Sequence, residues 1–141
     1  MDTLIREFLG EIDEVFGFVF DIRMACFLAR LQVEKIQRDN GLADDSPFVV
    51  SDGPPTGTTE QEIERSLHDT TVGAVKARMS DEGYDFRKTA EAAIVFTFHI
   101  WEVKYRPALA ELQGKRVREI ASNVMGDLNL LRNSIIHNKG V

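Results

Sequence analysis

Apolar side chains recur every three or four residues along most of this chain, and the spacing predicts helices almost from end to end. Leu4, Phe8, Ile12, Val15, Val19, Ile22 and Cys26 set the rhythm of a first helix from Asp2 to about Asp39. Asp2 or Thr3 can cap its start, and Asn40-Gly41 can stop it. Ile5, Leu9, Phe16, Phe20 and Phe27 widen the stripe well beyond a single core-facing strip. Such a helix spans roughly 55 Å, longer than a compact domain of this size. A bend near Gly10 or Gly17, or an elongated bundle, is therefore expected.

The pattern breaks over residues 41–58, where Asp-Asp-Ser-Pro and Asp-Gly-Pro-Pro-Thr-Gly carry turn chemistry. A flexible loop is expected there, with Phe48-Val49-Val50 pinning its middle to the body. Thr58 or Thr59 caps a second helix to about His68, and after a break at 69–73 more helix runs through Met79. Asp81-Glu82-Gly83 is a turn. Asp85 caps a third helix, Phe86 to about Tyr105, whose apolar residues Ala93 to Phe96, Phe98, Ile100 and Trp101 lie nearly all round. It should be the central, most buried helix. Pro107 bends it or begins a continuation that ends at Gly114. A last helix follows from about Lys115 to Ile136. No segment alternates cleanly as a strand, and nothing repeats. The expected class is all-α: one domain, residues 1–141, an antiparallel bundle of four to five helices.

Composition narrows the function. With 141 residues, 43% of them apolar, the chain can bury one core. The single cysteine, Cys26, rules out an intrachain disulfide and a cysteine-rich zinc site. It fits a reducing cytoplasm, and is expected to be a buried small apolar residue. No signal peptide is expected, and no apolar run reaches the roughly 18 residues of a membrane span, so no membrane partner is expected. The net charge of −6 argues against indiscriminate nucleic-acid binding. Yet from Val103 onward seven Lys and Arg face three Asp and Glu. That imbalance is either scatter on a solvated face or an interaction surface. The acids Asp44-Asp45, Asp52 and Glu60 to Glu64 are solvated, repel RNA from their side, or dock a basic partner.

The chemistry concentrates in the last helix. On a helical wheel Val117, Ile120, Val124, Leu128, Leu131 and Ile135 fall within about 80° of one another and should form its core stripe. Met125, Asn129, Arg132, Asn133, Ile136 and His137 gather on another side, half apolar and half polar. A second face of that kind suits a second subunit. Arg can grip a phosphate, and His is the side chain whose unperturbed pKa lies near neutrality. Arg132 and His137 stand about 140° apart on a regular helix, so both can address one phosphate only through the long Arg stem, a loosened last turn, or a two-fold axis.

The segment Leu131-Arg132-Asn133-Ser-Ile-Ile-His137-Asn-Lys-Gly140 resembles the signature of the HEPN superfamily (higher eukaryotes and prokaryotes nucleotide-binding), an Arg and a polar residue followed shortly by a His. Trp101-Glu-Val-Lys-Tyr105-Arg106-Pro107 and Met125-Gly-Asp127-Leu share that look. The resemblance implies a helical bundle that forms a homodimer through the motif helix. It also implies a metal-independent endoribonuclease, often a toxin or phage-defence effector held by an antitoxin or other protein partner. The 2′-OH of RNA would attack the adjacent phosphate, with no cofactor and no metal. By position, His137 would be the general acid/base, Arg132 would bind the scissile phosphate, and Asn133 would orient the phosphate or the His. Tyr105, Arg106 and Lys139 are candidate RNA contacts. The resemblance equally admits a non-catalytic nucleotide- or protein-binding module of a two-component system.

Each assignment has a plainer alternative. His137 suits a helix C-terminal dipole, and Arg132 an ion pair with Asp127 or another acid. Arg106 also suits the end of its helix, and Trp101 suits a core. His99, inside an apolar run, reads as a core or interface histidine. His68 with Glu62 and Glu64 is thin for a metal site.

Overall fold

The computed structural model describes residues 1–51 and 66–137. In chain order the elements are α1 (Asp2–Asn40), β1 (Pro47–Ser51), β2 (Ser66–Thr71), α2 (Val72–Arg78), α3 (Tyr84–Ile100), a π-helical turn (Trp101–Tyr105), α4 (Arg106–Gln113), a 3₁₀ turn (Val117–Glu119) and α5 (Asn123–His137). The chain is mostly helical, and it divides into two compact units: Met1–Ile22 with Arg87–Val141, and Arg23–Phe86. Among the described residues no helix is long and apolar enough to cross a membrane.

Helix α1 is unbroken over 39 residues, and neither Gly10 nor Gly17 interrupts it. It stops where expected. Gly41 adopts φ 64°, a left-handed conformation that costs glycine little, and the Leu42 amide donates back to the Gln37 carbonyl at 3.0 Å.

The unit Arg23–Phe86 corrects the expectation of a strand-free chain. Strands β1 and β2 pair antiparallel, Pro47 opposite Thr71 through Val50 opposite His68, with a bulge between Val50 and Ser51. Residues 66–68, expected at the end of a helix, are therefore strand, and β1 lies inside the expected loop. The thin alternation of Phe-Val-Val and Ser-Leu-His hid them, because pairing across a sheet is a non-local decision. Val33, Val72 and Val75 are buried together, with Leu42, Phe48 and Met79 packed around them. Phe48 thus anchors its segment as foreseen. Thr71 caps α2, its hydroxyl accepting from the Ala74 amide at 3.3 Å. Asp44 takes Lys76 at 2.6 Å and Gln37 at 2.8 Å, and the Lys76 ammonium holds its carboxyl below the usual range. Cys26 is half-buried, and burial pushes its thiol up.

The other unit holds the C-terminal chemistry. Its core is Trp101, Tyr105, Ala110 and Ile120, joined by Leu4, Phe8, Leu109 and Met125 among others. Phe8 packs tilted on both Trp101 (5.8 Å) and Tyr105 (4.8 Å). Helix α3 is not the buried centre expected of it. None of its residues is fully buried, and Phe96 is 61% exposed. Its apolar girdle is deeper than this unit covers. Past Ile100 the backbone widens to π geometry, with the Arg106 amide reaching back to Trp101 O. Pro107, which has no amide to donate, then sits in the first turn of α4, where none is needed. Gly114 at φ 61° ends α4, and the Lys115 amide closes on Ala110 O at 2.9 Å.

The last helix begins eight residues later than expected. Residues 115–122 are a connection containing the 3₁₀ turn, held by Glu119, which accepts from the Arg116 amide at 2.8 Å. Ser122 opens α5: its carbonyl takes the Gly126 amide at 2.9 Å, and its hydroxyl sits 3.4 Å from the Met125 amide. Val117 and Ile120 mimic a helical period without being helical. Ile120 is buried from the connection, while Val117 is exposed.

Candidate functional site

Helix α5 packs on a side that only partly coincides with the one its aliphatic spacing suggests: Leu128 and Ile135 are half-buried. Val124 is 70% and Leu131 54% exposed, whereas Met125, Asn129, Arg132 and Asn133 are half-buried. Four of the six residues on the mixed face pack in this unit, while Ile136 and His137 are exposed, and three members of the expected core stripe (Val117, Val124 and Leu131) stand in solvent. The reason is on the opposing surface: Trp101 and Phe98 offer room to Met125 and to a guanidinium, which a run of Leu and Val would not use.

Arg132 lies with its guanidinium carbon 5.4 Å from the centroid of the Phe98 ring. Its Nη1 donates to Asn133 Oδ1 at 3.0 Å. It makes no ion pair among the described residues, so the Asp127 alternative is not what this structure holds. A cavity of about 380 Å³ opens beside it, lined by Val95, Phe96, Phe98, His99, Glu102 and Arg132. A half-buried, weakly engaged guanidinium at a cavity wall is suited to an anion, because an arriving phosphate meets little competition.

His137 ends α5 and is exposed, with no hydrogen bond among the described residues. It does not line the Arg132 cavity. Of the three motif residues the structure joins Arg132 to Asn133 by a hydrogen bond, while His137, one turn beyond Asn133, does not line the Arg132 cavity. Lys139 lies outside the described residues.

Tyr105 and Arg106 take structural positions. Tyr105 is 1% exposed, and its hydroxyl donates to Glu11 at 2.9 Å. Burial, then that bond, pushes its pKa up. Lys104 completes the trio, pairing with Glu11 and holding the Glu11 carboxyl down. Arg106 donates from Nη1 to both Glu102 oxygens (2.8 and 3.1 Å) and from Nε to Ile120 O at 3.1 Å, tying α4 to the connection before α5.

His99 and Glu102 were not singled out together, yet both face the Arg132 cavity. His99 is exposed there rather than sequestered in a core. Their spacing of three residues on one helix was the available signal. His68 contributes its backbone to β2; its side chain, Glu62 and Glu64 fall outside the described residues, as do Asp52 and Glu60. Compared with protein families, curated proteins and solved structures, the chain matches none of them.

Proposed function

We propose that this chain is a metal-independent endoribonuclease of HEPN type, working in the cytoplasm as a homodimer and serving as a toxin or defence effector. The observation that carries the reading is Arg132: half-buried, in no ion pair among the described residues, hydrogen-bonded to Asn133 and facing a cavity. Arg132 would hold the scissile phosphate and Asn133 would fix the guanidinium. His137 would move the proton as the 2′-OH attacks.

One geometric point supports a dimer. Arg132 and His137 project about 140° apart from one regular helix. A pocket containing both is readily built when His137 comes from a second copy. The exposed Val124 and Leu131 on α5 supply an apolar surface for that copy.

The test is cleavage of RNA by purified protein in EDTA. Wild type is expected to cut. His137→Ala is expected to lose activity by a factor of about 10² to 10⁴, the range for a general acid/base, and Arg132→Ala by a similar factor. Equal cleavage by wild type and His137→Ala removes the catalytic assignment. A protein that binds a partner, cuts nothing and has no effect on growth is instead the non-catalytic module, a reading to which the net charge of −6 lends weight.

A further inference from the structure

A second cavity, of about 230 Å³, adjoins the first, because Phe98 and Glu102 line both. Trp101, Met125, Gly126 and Asn129 form much of its remaining wall. Three features set it apart from a packing gap. Asn129 is half-buried there, yet its amide makes no hydrogen bond among the described residues. Glu102 is held by Arg106, whose single Nη1 spans both oxygens, and a carboxylate with about four lone-pair sites keeps acceptor capacity to spare. Gly126 sits inside a helix, where glycine is unfavourable, and a Cβ placed on it meets nothing within 4 Å. Packing does not demand the glycine, which is exposed and lines the cavity.

We propose that this cavity is a guanine subsite, receiving the base on the 5′ side of the phosphate that Arg132 holds. The inference rests on the ribonuclease reading for that phosphate. Size and walls suit one flat, partly apolar ring system. The choice of base follows from hydrogen bonding. Guanine presents adjacent N1–H and N2–H donors on its Watson–Crick edge, and a carboxylate accepts both. Adenine, cytosine and uracil do not offer that pair. Asn129 can satisfy O6 or N7 through its NH₂ group. The Glu102–Arg106 pairing keeps the pocket from repelling RNA, since the two charges offset each other.

Trp101 is the only tryptophan of the chain and lines the cavity, so its fluorescence reports occupancy without catalysis. The experiment titrates full-length protein with guanosine, adenosine, cytidine and uridine 3′-monophosphates, and repeats the series with Gly126→Val and Glu102→Gln. Guanosine 3′-monophosphate is expected to saturate at concentrations about tenfold or more below the other three, the effect of losing one charge-assisted hydrogen bond. Gly126→Val, which the free space lets fold, is expected to weaken it by a similar factor with an unchanged circular dichroism spectrum. Glu102→Gln is expected to level the four affinities. Equal binding of all four nucleotides, no saturation by the guanosine compound at millimolar concentration, or unaltered binding by Gly126→Val overturns the proposal. So does a Gly126→Val protein that loses only its dimer, which makes the cavity a seat for the second chain. RNA cleavage without guanosine preference removes the subsite and spares the nuclease. Guanosine preference without cleavage does the reverse.

Discussion

At residue scale, two glycines show opposite consequences of a missing side chain. A Cβ on Gly83 would stand 2.1 Å from the Arg78 carbonyl oxygen, inside any tolerable contact, and that oxygen belongs to backbone that cannot turn aside. Gly83→Ala is therefore expected to cost about 2 to 4 kcal/mol, read from urea unfolding. At Gly126 nothing stands in the way, and Gly126→Ala is expected to gain about 0.5 to 1 kcal/mol from helix propensity alone. The sequence places Gly83 in a turn and Gly126 in a helix; what a side chain would meet at each is shown only by the atoms around them. The same holds for the candidate site. Arg132, Asn133 and His137 stand out in the sequence by type and spacing. That Arg132 lies against Phe98 while His137 faces solvent is set by which side of α5 packs. Tyr105 reads from the sequence as a candidate RNA contact at the end of its helix, and the structure buries it with its hydroxyl bonded to Glu11.

At element scale, local signals worked where the chain had only itself to consult. Helix α1, its stop at Gly41 and the end of α4 at Gly114 are legible because periodicity and left-handed glycine are local properties. The strands were missed because a hairpin is stabilised across its partner. The start of α5 at Asn123 lies later than the spacing suggests because Val117 and Ile120 sit at helical intervals without being helical. Elements are also tied by one polar trio, Glu11 of α1 with Lys104 and Tyr105 of the π-helical turn. Glu11 is held below its ordinary value, so its contribution is present above about pH 4.5 and fades as pH falls through the lowered value. Tyr105 and Lys104 are raised, so theirs is intact below pH 10.0 and is lost as pH climbs through the raised values. Melting temperature against pH is expected to show a plateau with a fall at each end. Glu11→Gln is expected to weaken the acid limb, and an unaltered profile would show that the trio adds nothing.

At the scale of the whole molecule, the unexplained surface is apolar. Ile5, Leu9, Phe16 and Phe20 project from the first half of α1 into solvent, and Val124, Leu130 and Leu131 do so from α5. Scattered exposed apolar residues are ordinary, but Ile5, Leu9, Phe16 and Phe20 share one face of α1. If α5 joins two copies, Leu131→Asp is expected to convert a dimer to a monomer in sedimentation equilibrium, since a carboxylate at an apolar interface costs several kcal/mol unpaired. RNA cleavage should fall with the dimer. A dimer that persists, or cleavage by a monomer, would sever the link between assembly and chemistry.

The sequence by itself determined the helical class, the long first helix and the residue types able to act on a phosphate. Those follow from short-range periodicity, backbone preference and side-chain chemistry, which a chain carries wherever it folds. The tertiary structure alone decided the hairpin, the late start of α5, which side of α5 packs, and the meeting of Arg132 with Phe98, His99 and Glu102 around one cavity. These depend on contacts between residues far apart in the chain, and a helix with two apolar faces has no local reason to prefer one until an aromatic surface such as Phe98 and Trp101 accepts it.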